Sequence, residues 1–173
     1  MAEQRSLLIV GASTYAHVAY EIACDMGCYH RIDFVDDAKA TAPNGTPVVG
    51  TLADLPKLQM YTDVIVAIGN PDVRLAILHT VRTTTSLRIA TLISPRAYVA
   101  PSAQISEGVI VEPMAVVHTK VKLAEGCFVS AGAVINHEGI CSEGVHVDCN
   151  ATVAGYVTVP PKTKIASGEV FHG

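Results

Sequence analysis

The pattern of apolar and polar residues divides the chain into two parts with different periods. In the first ninety residues, short apolar runs alternate with segments that repeat at helical spacing. The runs at residues 6–10, 32–35 and 64–68 have the length and composition of buried strands. Buried strands that alternate with helices predict a small parallel α/β domain.

Two helices are predicted between these strands. The first covers residues 15–26 and ends at Gly27, a residue type that commonly terminates helices. The second begins at Asn70, a good N-cap, followed by Pro71 at the first helical position. Its predicted buried stripe consists of Val73, Ala76, Ile77 and Val81.

After residue 92 the apolar period changes to six. Twelve of the thirteen residues at every sixth position are branched aliphatics, and the residue four positions later is usually small. The thirteen residues are Ile93, Val99, Ile105, Val111, Val117, Leu123, Val129, Ile135, Cys141, Val147, Val153, Val159 and Ile165. Neither a helix nor a flat sheet has this period, whereas the sides of a parallel β-helix do. The pattern therefore predicts coils of three six-residue sides, which are stable only when they stack.

The change of period also predicts a domain boundary. We expect an α/β domain over residues 1–91 and an all-β parallel β-helix over residues 92–173. In such a coil the repeated aliphatic points into a narrow core and small residues occupy the corners. His137, two positions after Ile135, is therefore expected to point outward.

Composition narrows the classes of function. The chain has 12 Lys and Arg against 16 Asp and Glu, a formal net charge of −4, and no basic block, so binding of nucleic acid is not expected. No apolar run approaches the roughly 20 residues of a membrane span. The five cysteines include no CxxC, which predicts free, mostly buried thiols and a cytoplasmic location.

The turn after the first strand does not favour a dinucleotide-dependent oxidoreductase. Residues 11–15 read GASTY and lack the G-x-G-x-x-G spacing. A turn that opens a helix can still hold a phosphate through free backbone N–H groups and the helix dipole. Asp36 and Asp37 end the second strand, where such folds read a ribose or a base.

Four motifs resemble those of a bacterial sugar acetyltransferase family of the left-handed β-helix type. Residues 11–19, GASTYAHVA, match a head motif of the form G-A-G/S-G-H-G/A-x-V-V. Residues 36–37 match the family's acidic pair, and residues 68–70 match its later glycine turn. In the coil, residues 136–138 match its N-H-D/E stretch, and His146 its second histidine. The family includes UDP-4-amino-sugar N-acetyltransferases of bacillosamine synthesis, acetyltransferases of perosamine-type sugars and sialic-acid O-acetyltransferases.

The resemblance implies a Rossmann-like α/β head and a left-handed β-helix. The implied reaction, which needs no metal, transfers acetyl from acetyl-CoA to an amino sugar on a nucleoside diphosphate, of the UDP-4-amino-4,6-dideoxy-sugar type. The resemblance also implies a homotrimer with active sites shared between subunits. The head is expected to bind the nucleotide sugar through Ser13, Thr14, Tyr15, Asp36, Asp37, Gly69 and Asn70.

His137 is the predicted general base, because the attacking amine must lose a proton when it adds to the thioester. Glu138 is expected to orient the imidazole and to increase its basicity. His118 lies 18 residues, one coil, before Asn136 and is a candidate to line the same groove. The residues that the resemblance places on the CoA side are His146, Asn136 and Gly155.

The chain departs from the family pattern at two points. Tyr15 stands where members usually have a histidine near the sugar nucleotide, and His17 faces elsewhere on the helix. The sequence ends at Gly173, whereas members usually add coils that help to hold CoA, so those contacts are expected to be missing.

Three other functions remain open. The same base would serve O-acetylation of a sialic acid or a related sugar. A non-catalytic sugar-nucleotide-binding assembly subunit would be consistent with Tyr15 and the short coil. A zinc carbonic anhydrase of the same architecture needs three converging ligands. His137 and His146, half a coil apart, would converge with His118 only across a subunit interface.

Overall fold

The computed structural model describes residues 5–173. The chain divides into two compact units, one up to Ala90 and one from Thr91 to Gly173. The first is a layered α/β unit and the second is a left-handed parallel β-helix, so both predicted fold classes are confirmed.

The described part of the first unit is a four-stranded parallel sheet with two α-helices and a 3₁₀ helix. The elements are β1 (Arg5–Val10), α1 (Thr14–Met26), β2 (Tyr29–Val35), the 3₁₀ helix (Leu52–Lys57), β3 (Asp63–Val66), α2 (Pro71–Thr84) and β4 (Arg88–Ile89). The strand order is β2-β1-β3-β4. The chain therefore leaves β1 toward one side of the sheet and later crosses to the other, so the strand order reverses between β1 and β3.

Side chains of β1 are buried on both faces of the sheet. Leu8 and Val10 pack in one cluster with the buried residues of α2. Leu7 and Ile9 point to the opposite face, because successive strand residues alternate. The buried residues of α1 are small or aliphatic, namely Ala16, Ala19, Ile22 and Ala23. Near-continuous apolar strands are typical of parallel sheets covered on both sides.

The predicted buried stripe of α2 was partly wrong. Val73 and Ala76 are exposed, whereas Arg74 and Leu78 are fully buried beside Ile77 and Val81. Arg74 can occupy the inner face because Nη1 donates to the carbonyl oxygens of Ile68 and Gly69, at 2.7 and 2.9 Å. An arginine also buries its long apolar stem, which a simple apolar pattern does not register.

Both predicted helix boundaries are confirmed in detail. Gly27 ends α1 with φ 64°, and its N–H donates to the carbonyl oxygen of Cys24. The side-chain oxygen of Asn70 accepts hydrogen bonds from the backbone N–H groups of Asp72 and Val73 and so caps α2. Over residues 5–173, no helix has the length and apolar content required to cross a membrane.

The second unit consists of fourteen two-residue strands. They are β5 (Leu92–Ile93), β6 (Tyr98–Val99), β7 (Gln104–Ile105), β8 (Ile110–Val111), β9 (Val116–Val117), β10 (Lys122–Leu123), β11 (Phe128–Val129), β12 (Val134–Ile135), β13 (Ile140–Cys141), β14 (His146–Val147), β15 (Thr152–Val153), β16 (Thr158–Val159), β17 (Lys164–Ile165) and β18 (Val170–Phe171). Every third strand joins the same parallel sheet, which gives three sheets. Paired residues are 18 positions apart, as in Val129 with Val147, so the predicted coil length is confirmed.

The core of the β-helix contains the aliphatic residue of each six-residue side. Val117, Ile135 and Val153 are fully buried one above another, and Cys141 occupies the same kind of position. Ala115 and Ala133 directly follow two-residue turns and are also fully buried. The small residues at the corners therefore let the chain turn close to the core, as predicted.

The turns share one backbone conformation. Every sixth residue from Gly108 to Gly168, the second residue of its turn, has φ between 56° and 74°. Five of the eleven are glycines, which adopt this region without steric cost. Side chains at the other six disfavour it, by roughly 1–2 kcal/mol each. Those six residues are Met114, Lys120, Glu138, Asn150, Tyr156 and Lys162.

The expectation of mostly buried thiols was wrong for part of the chain. Cys127 and Cys141 are buried and Cys149 is half-buried, but Cys24 and Cys28 are exposed. Cys24 lies on the last turns of α1, and Cys28 lies in the short connection between α1 and β2. The expectation had rested on how often free cysteines are buried in proteins.

A buried carboxylate joins the starts of β1 and β3. Asp63 is almost fully buried, and its Oδ1 lies 2.8 Å from Nη2 of Arg5. Thr62 donates its hydroxyl to Oδ2, and Nη2 of Arg88 lies 3.5 Å from the same oxygen. Burial raises the pKa of Asp63, but the hydrogen bonds from Arg5 and Thr62 outweigh it and hold that pKa below its ordinary value.

Replacing Asp63 is expected to destabilise the chain in a pH-dependent way. Because its pKa is lower in the folded state, the carboxylate stabilises the fold above about pH 4 and loses this effect as the pH falls further. Asp63→Asn should therefore lower the free energy of unfolding by about 1.5–3 kcal/mol at pH 7, the cost of losing charged hydrogen bonds. Urea unfolding at pH 7 and at pH 3 measures this, and Asp25→Asn at an exposed position is the control. A difference from the wild type that is equally large at both pH values would contradict the assignment.

Candidate functional site

A crevice lies at the carboxyl ends of β1, β2 and β3, beside the point where the strand order reverses. Ligands of open α/β sheets bind at such points. The cavity has a volume of about 230 Å³. Its lining includes Gly11, Asp36, Asp37, Leu52, Ile68 and Val73. Val73 thus lines the crevice, although the sequence placed it in the core.

The turn from β1 into α1 requires a glycine at one position. Gly11 has φ 108°, and a Cβ there would lie 3.2 Å from the carbonyl oxygen of Ala67. Ser13 is the N-cap of α1, but its side chain accepts no capping hydrogen bond. Ser13 and Thr14 are both exposed, and Tyr15 is half-buried. The N-terminus of α1 is therefore open to an anion in the way that helix N-termini allow.

The two aspartates predicted to bind substrate have different surroundings. Asp36 accepts hydrogen bonds from the N–H groups of Ala12 at 2.7 Å, Ala38 at 2.8 Å and Lys39 at 2.9 Å. Burial raises the pKa of Asp36, but these three hydrogen bonds lower it below its ordinary value. Asp37 is exposed, and its Oδ1 accepts one hydrogen bond from the N–H of Leu52. Asp36 thus fixes the turn after β1, whereas the carboxylate of Asp37 is exposed enough to contact a ligand.

Two basic residues near the crevice were missed by sequence reasoning. Lys39 donates from Nζ to the carbonyl oxygen of Ala12 at 2.8 Å, which places an ammonium group beside the start of α1. It also lines a second hollow of about 330 Å³ that shares Asp36 and Asp37 with the first. Buried Arg74 holds the backbone of the glycine turn at residues 68–69. The only sequence signals were a lysine just after the acidic pair and an arginine in the first turn of a helix.

The later glycine turn is held by its own residues. Gly69 has open space where a Cβ would lie. The side-chain oxygen of Asn70 is engaged in capping α2, so its predicted contact with substrate would have to use its amide nitrogen or displace the cap. That contact stays a prediction.

His137 lies in the turn after β12 and is exposed, pointing away from the core. Its backbone N–H donates to Oδ1 of Asn136 at 2.8 Å. The imidazole lies against Gly155, which follows it by one coil, and a Cβ on Gly155 would be 2.8 Å from Cε1 of the ring. The ring also meets that of Tyr156 edge to face, with centroids 4.9 Å apart. The structure therefore brings the predicted residues His137, Asn136 and Gly155 together.

Glu138 is not hydrogen-bonded to the imidazole in the part of the chain that the structure describes. Its carboxylate lies 3.5 Å from Nζ of Lys120, the residue one coil earlier. Glu138 occupies the left-handed turn position, with φ 57°. The orienting role of Glu138 stays a prediction, since it would require the carboxylate to leave Lys120.

His146 lies on β14, in a different sheet from the strand that precedes His137. Its Nε2 is 2.9 Å from Oγ of Ser130, and its ring meets Phe128 edge to face at 5.8 Å. His118 is exposed and donates its backbone N–H to Ile135, in the next coil, as the 18-residue spacing predicts. Ser130 was missed by sequence reasoning, although the pairing of β11 with β14 places it beside His146.

An acidic residue also lies near His146. Asp148 is 3.0 Å from Nζ of Lys164. Burial raises the pKa of Asp148, but the hydrogen bond from Lys164 and the backbone N–H of Cys149 outweigh it and lower that pKa to about 2. Between residues 5 and 173 no three His, Cys, Asp or Glu side chains are grouped so that they could hold a metal ion.

The first unit matches a known family model. Residues 6–81 match the PglD N-terminal domain. No curated protein sequence matches the chain significantly.

Solved structures match nearly the whole chain. The acetyltransferase domain of PglB from Neisseria gonorrhoeae FA1090, in complex with acetyl coenzyme A, is 32% identical with a TM-score of 0.92, and the match covers 96% of this chain and 82% of that one. A second structure of the acetyltransferase domain of PglB from the same organism is 31% identical with a TM-score of 0.90, and the match again covers 96% of this chain and 82% of that one. PerB from Caulobacter crescentus, in complex with CoA and GDP-perosamine, is 24% identical with a TM-score of 0.78, over 96% and 88%, and shows the common fold.

Three findings agree with one another. They are the family-model match of the α/β unit, the geometry of the β-helix and the sequence identity to the Neisseria domain. The α/β unit matches the PglD N-terminal domain, and the β-helix carries the exposed His137 in one of its stacked turns. The chain is an acyltransferase and belongs to the bacterial sugar acetyltransferase family of the left-handed β-helix type.

Proposed function

We propose that this protein transfers an acetyl group from acetyl-CoA to the amine of an amino sugar carried on a nucleoside diphosphate. The observation that carries the proposal is the exposed imidazole of His137, seated on the backbone of Gly155, in a chain 32% identical to an acetyltransferase domain solved with acetyl-CoA. We propose that the N-acetylated sugar then enters bacterial glycan synthesis, as the products of this family do.

The chemistry requires one base and a thiol leaving group. The amine nitrogen attacks the thioester carbonyl, a C–N bond forms and the C–S bond breaks. His137 accepts the proton that the nitrogen loses, and the proton passes to the departing CoA thiolate or to solvent. No covalent acyl-enzyme is required, because both substrates bound together gain from proximity. Backbone N–H groups of the coil are candidates to stabilise the oxyanion of the intermediate.

The nucleotide is assigned to the α/β unit. Ser13 and Thr14 at the open start of α1 would bind the diphosphate, and the ammonium group of Lys39 would add charge. Asp37, which keeps carboxylate surface exposed, would read the ribose or the base. Asp36 would act mainly by holding the turn after β1. The other proposed contacts of the nucleotide sugar are Tyr15, Gly69 and Asn70.

The remaining assignments concern the β-helix. We place CoA beside His146, Asn136 and Gly155, and we keep Glu138 as the residue that orients His137 when substrate releases it from Lys120. The substrate that best fits the family is a UDP-4-amino-4,6-dideoxy sugar. In solution, the chain would form a homotrimer.

A panel of substrates tests the proposed reaction. Release of the CoA thiol should follow addition of an amino sugar linked to UDP, GDP, dTDP or CMP, and one nucleotide should be preferred because the crevice is small. The control is the matched nucleotide sugar with a hydroxyl in place of the amine. Reaction with the hydroxyl sugar, or with CMP-linked sialic acid alone, would establish O-acetylation instead. Binding of a nucleotide sugar with no thiol release from any of them would establish a binding subunit.

Removing the proposed base should reduce turnover without unfolding the chain. His137→Ala is expected to lower kcat by about 10²- to 10⁴-fold, the usual effect of losing a positioned proton acceptor. The melting temperature should barely change, since the side chain is exposed. Steady-state kinetics on the preferred sugar and thermal unfolding measure the two effects. His79→Ala, at an exposed histidine of α2, is the control, and near-full activity of His137→Ala would remove the general-base assignment.

The proposed homotrimer is supported by an uncharged face of the β-helix. The outward residues of the sheet formed by β6, β9, β12, β15 and β18 carry no charge. They are Tyr98, Val116, Val134, Thr152 and Val170. Tyr98 and Val170 are 55% and 48% exposed. Three copies could bury this face against one another, which would remove apolar surface from water.

Light scattering tests the assembly. The wild type should have three times the mass of one chain at micromolar concentration. Val134→Lys, which places a charge in the middle of the uncharged face, should shift the protein toward a single chain. Thr158→Lys on the sheet of β16 is the matched control and should leave the mass unchanged. A wild-type protein with the mass of one chain would refute the trimer.

A further inference from the structure

Tyr156 occupies a turn position that a tyrosine does not favour. It is the second residue of the turn after β15 and has φ 62°. A bulky side chain in this left-handed region is strained, whereas glycine occupies it freely. Five of the eleven equivalent turn positions are indeed glycine. The local backbone therefore gives no reason for a tyrosine here.

Burial gives no reason for the tyrosine either. The side chain is 71% exposed, so it adds little to the apolar core. Met114 has the same backbone conformation and is 72% exposed, but it belongs to another column of turns. Tyr156 and Met114 therefore share backbone strain and exposure, and what distinguishes Tyr156 is what its ring contacts.

The ring of Tyr156 contacts the imidazole of His137. The centroids are 4.9 Å apart and the planes cross at 74°, the edge-to-face arrangement in which the positive edge of one ring meets the negative face of the other. The backbone N–H of Tyr156 also donates to the carbonyl oxygen of His137 at 3.2 Å. The two residues are thus joined by main chain and by side chain.

Gly155 completes this seat for the imidazole. A Cβ at residue 155 would lie 2.8 Å from Cε1 and 3.2 Å from Nε2 of His137, so a side chain there would displace the ring from its place on the backbone of the next coil. The hydrogen bonds of His137 to residues 5–173 involve its backbone, with none to the imidazole. The carboxylate of Glu138, meanwhile, is 3.5 Å from Lys120. The ring orientation in this chain therefore depends on Gly155 and Tyr156.

We infer that Tyr156 is a positioning residue that fixes the orientation of the His137 imidazole for proton transfer. The aromatic contact restricts rotation of the imidazole and leaves both ring nitrogens without a protein hydrogen bond among the described residues, available to the reacting amine. This role rests on the proposed function of His137 as general base. It acts through the ring of Tyr156 and makes no use of the hydroxyl.

Replacement by glycine separates positioning from stability. Tyr156→Gly removes the ring and relieves the backbone strain, so the melting temperature should stay the same or rise. Turnover should nevertheless fall by about 10- to 100-fold, as small misplacements of a reacting group do, with little change in KM for acetyl-CoA. Tyr156→Phe keeps the ring and should retain kcat within about twofold of the wild type. Met114→Gly is the matched control, with the same or a higher melting temperature and unchanged kcat.

An NMR measurement tests the contact without any substrate. The Cε1 proton of His137, assigned by comparison with His137→Ala, should carry a ring-current shift that disappears in Tyr156→Gly and persists in Tyr156→Phe. A wild type without acetyl transfer would refute the proposed function, while this comparison would still decide whether Tyr156 orients the imidazole. Unchanged turnover or an unchanged His137 signal in Tyr156→Gly would overturn the inference. So would an equal loss of turnover in Tyr156→Phe, because the hydroxyl would then be the active group.

Discussion

Backbone pairing between residues 18 positions apart is the interaction on which the β-helix unit depends. Each two-residue strand is too short to persist alone, and it becomes stable because the coils before and after it supply its hydrogen bonds. The same pairing places Ile135 over Val117 and under Val153, which forms the core. It also places Gly155 over His137. Fold and candidate site therefore arise from one register, and a residue in the site is supported by its neighbours in other coils more than by its neighbours in sequence.

The α/β unit is organised by a different constraint, the need to satisfy polar groups at the ends of buried strands. Asp36 accepts three backbone N–H groups where the chain leaves β1 and β2, and Arg74 donates to two carbonyls where it leaves β3. These hydrogen bonds keep the turns at the carboxyl edge in one conformation. A crevice bordered by fixed turns is preorganised for a ligand, which reduces the entropy lost on binding.

The sequence predicted the features that depend on periodicity and missed those that depend on individual partners. The six-residue period identified the aliphatic core positions of the β-helix from Val111 to Ile165, because that repeat directly reflects which side chains face inward. It did not identify the buried valines two positions earlier, such as Val109, Val121 and Val145. The sequence assigned partly wrong residues to the inner face of α2, because arginine is a polar residue type and the carbonyl partners of Arg74 cannot be read from the sequence. Asp36 and Asp37 appear equivalent in sequence, and only the path of the backbone makes one a structural anchor. The pairs Lys120–Glu138 and His137–Gly155 follow from 18-residue stacking, so a stricter use of that spacing would have found them.

Because its register is uniform, the β-helix places equivalent turn residues at equal intervals along its axis. Adjacent strands in a sheet are about 4.8 Å apart. Transferring the Asn-His-Glu triplet from residues 136–138 to the equivalent turn at 118–120 or 154–156 would therefore move the imidazole by one such step along the coil axis while preserving its direction. Such a transfer would change the position along the coil axis at which the base meets the amine of a sugar. Evolution would need to exchange only a few surface residues, with the core left intact.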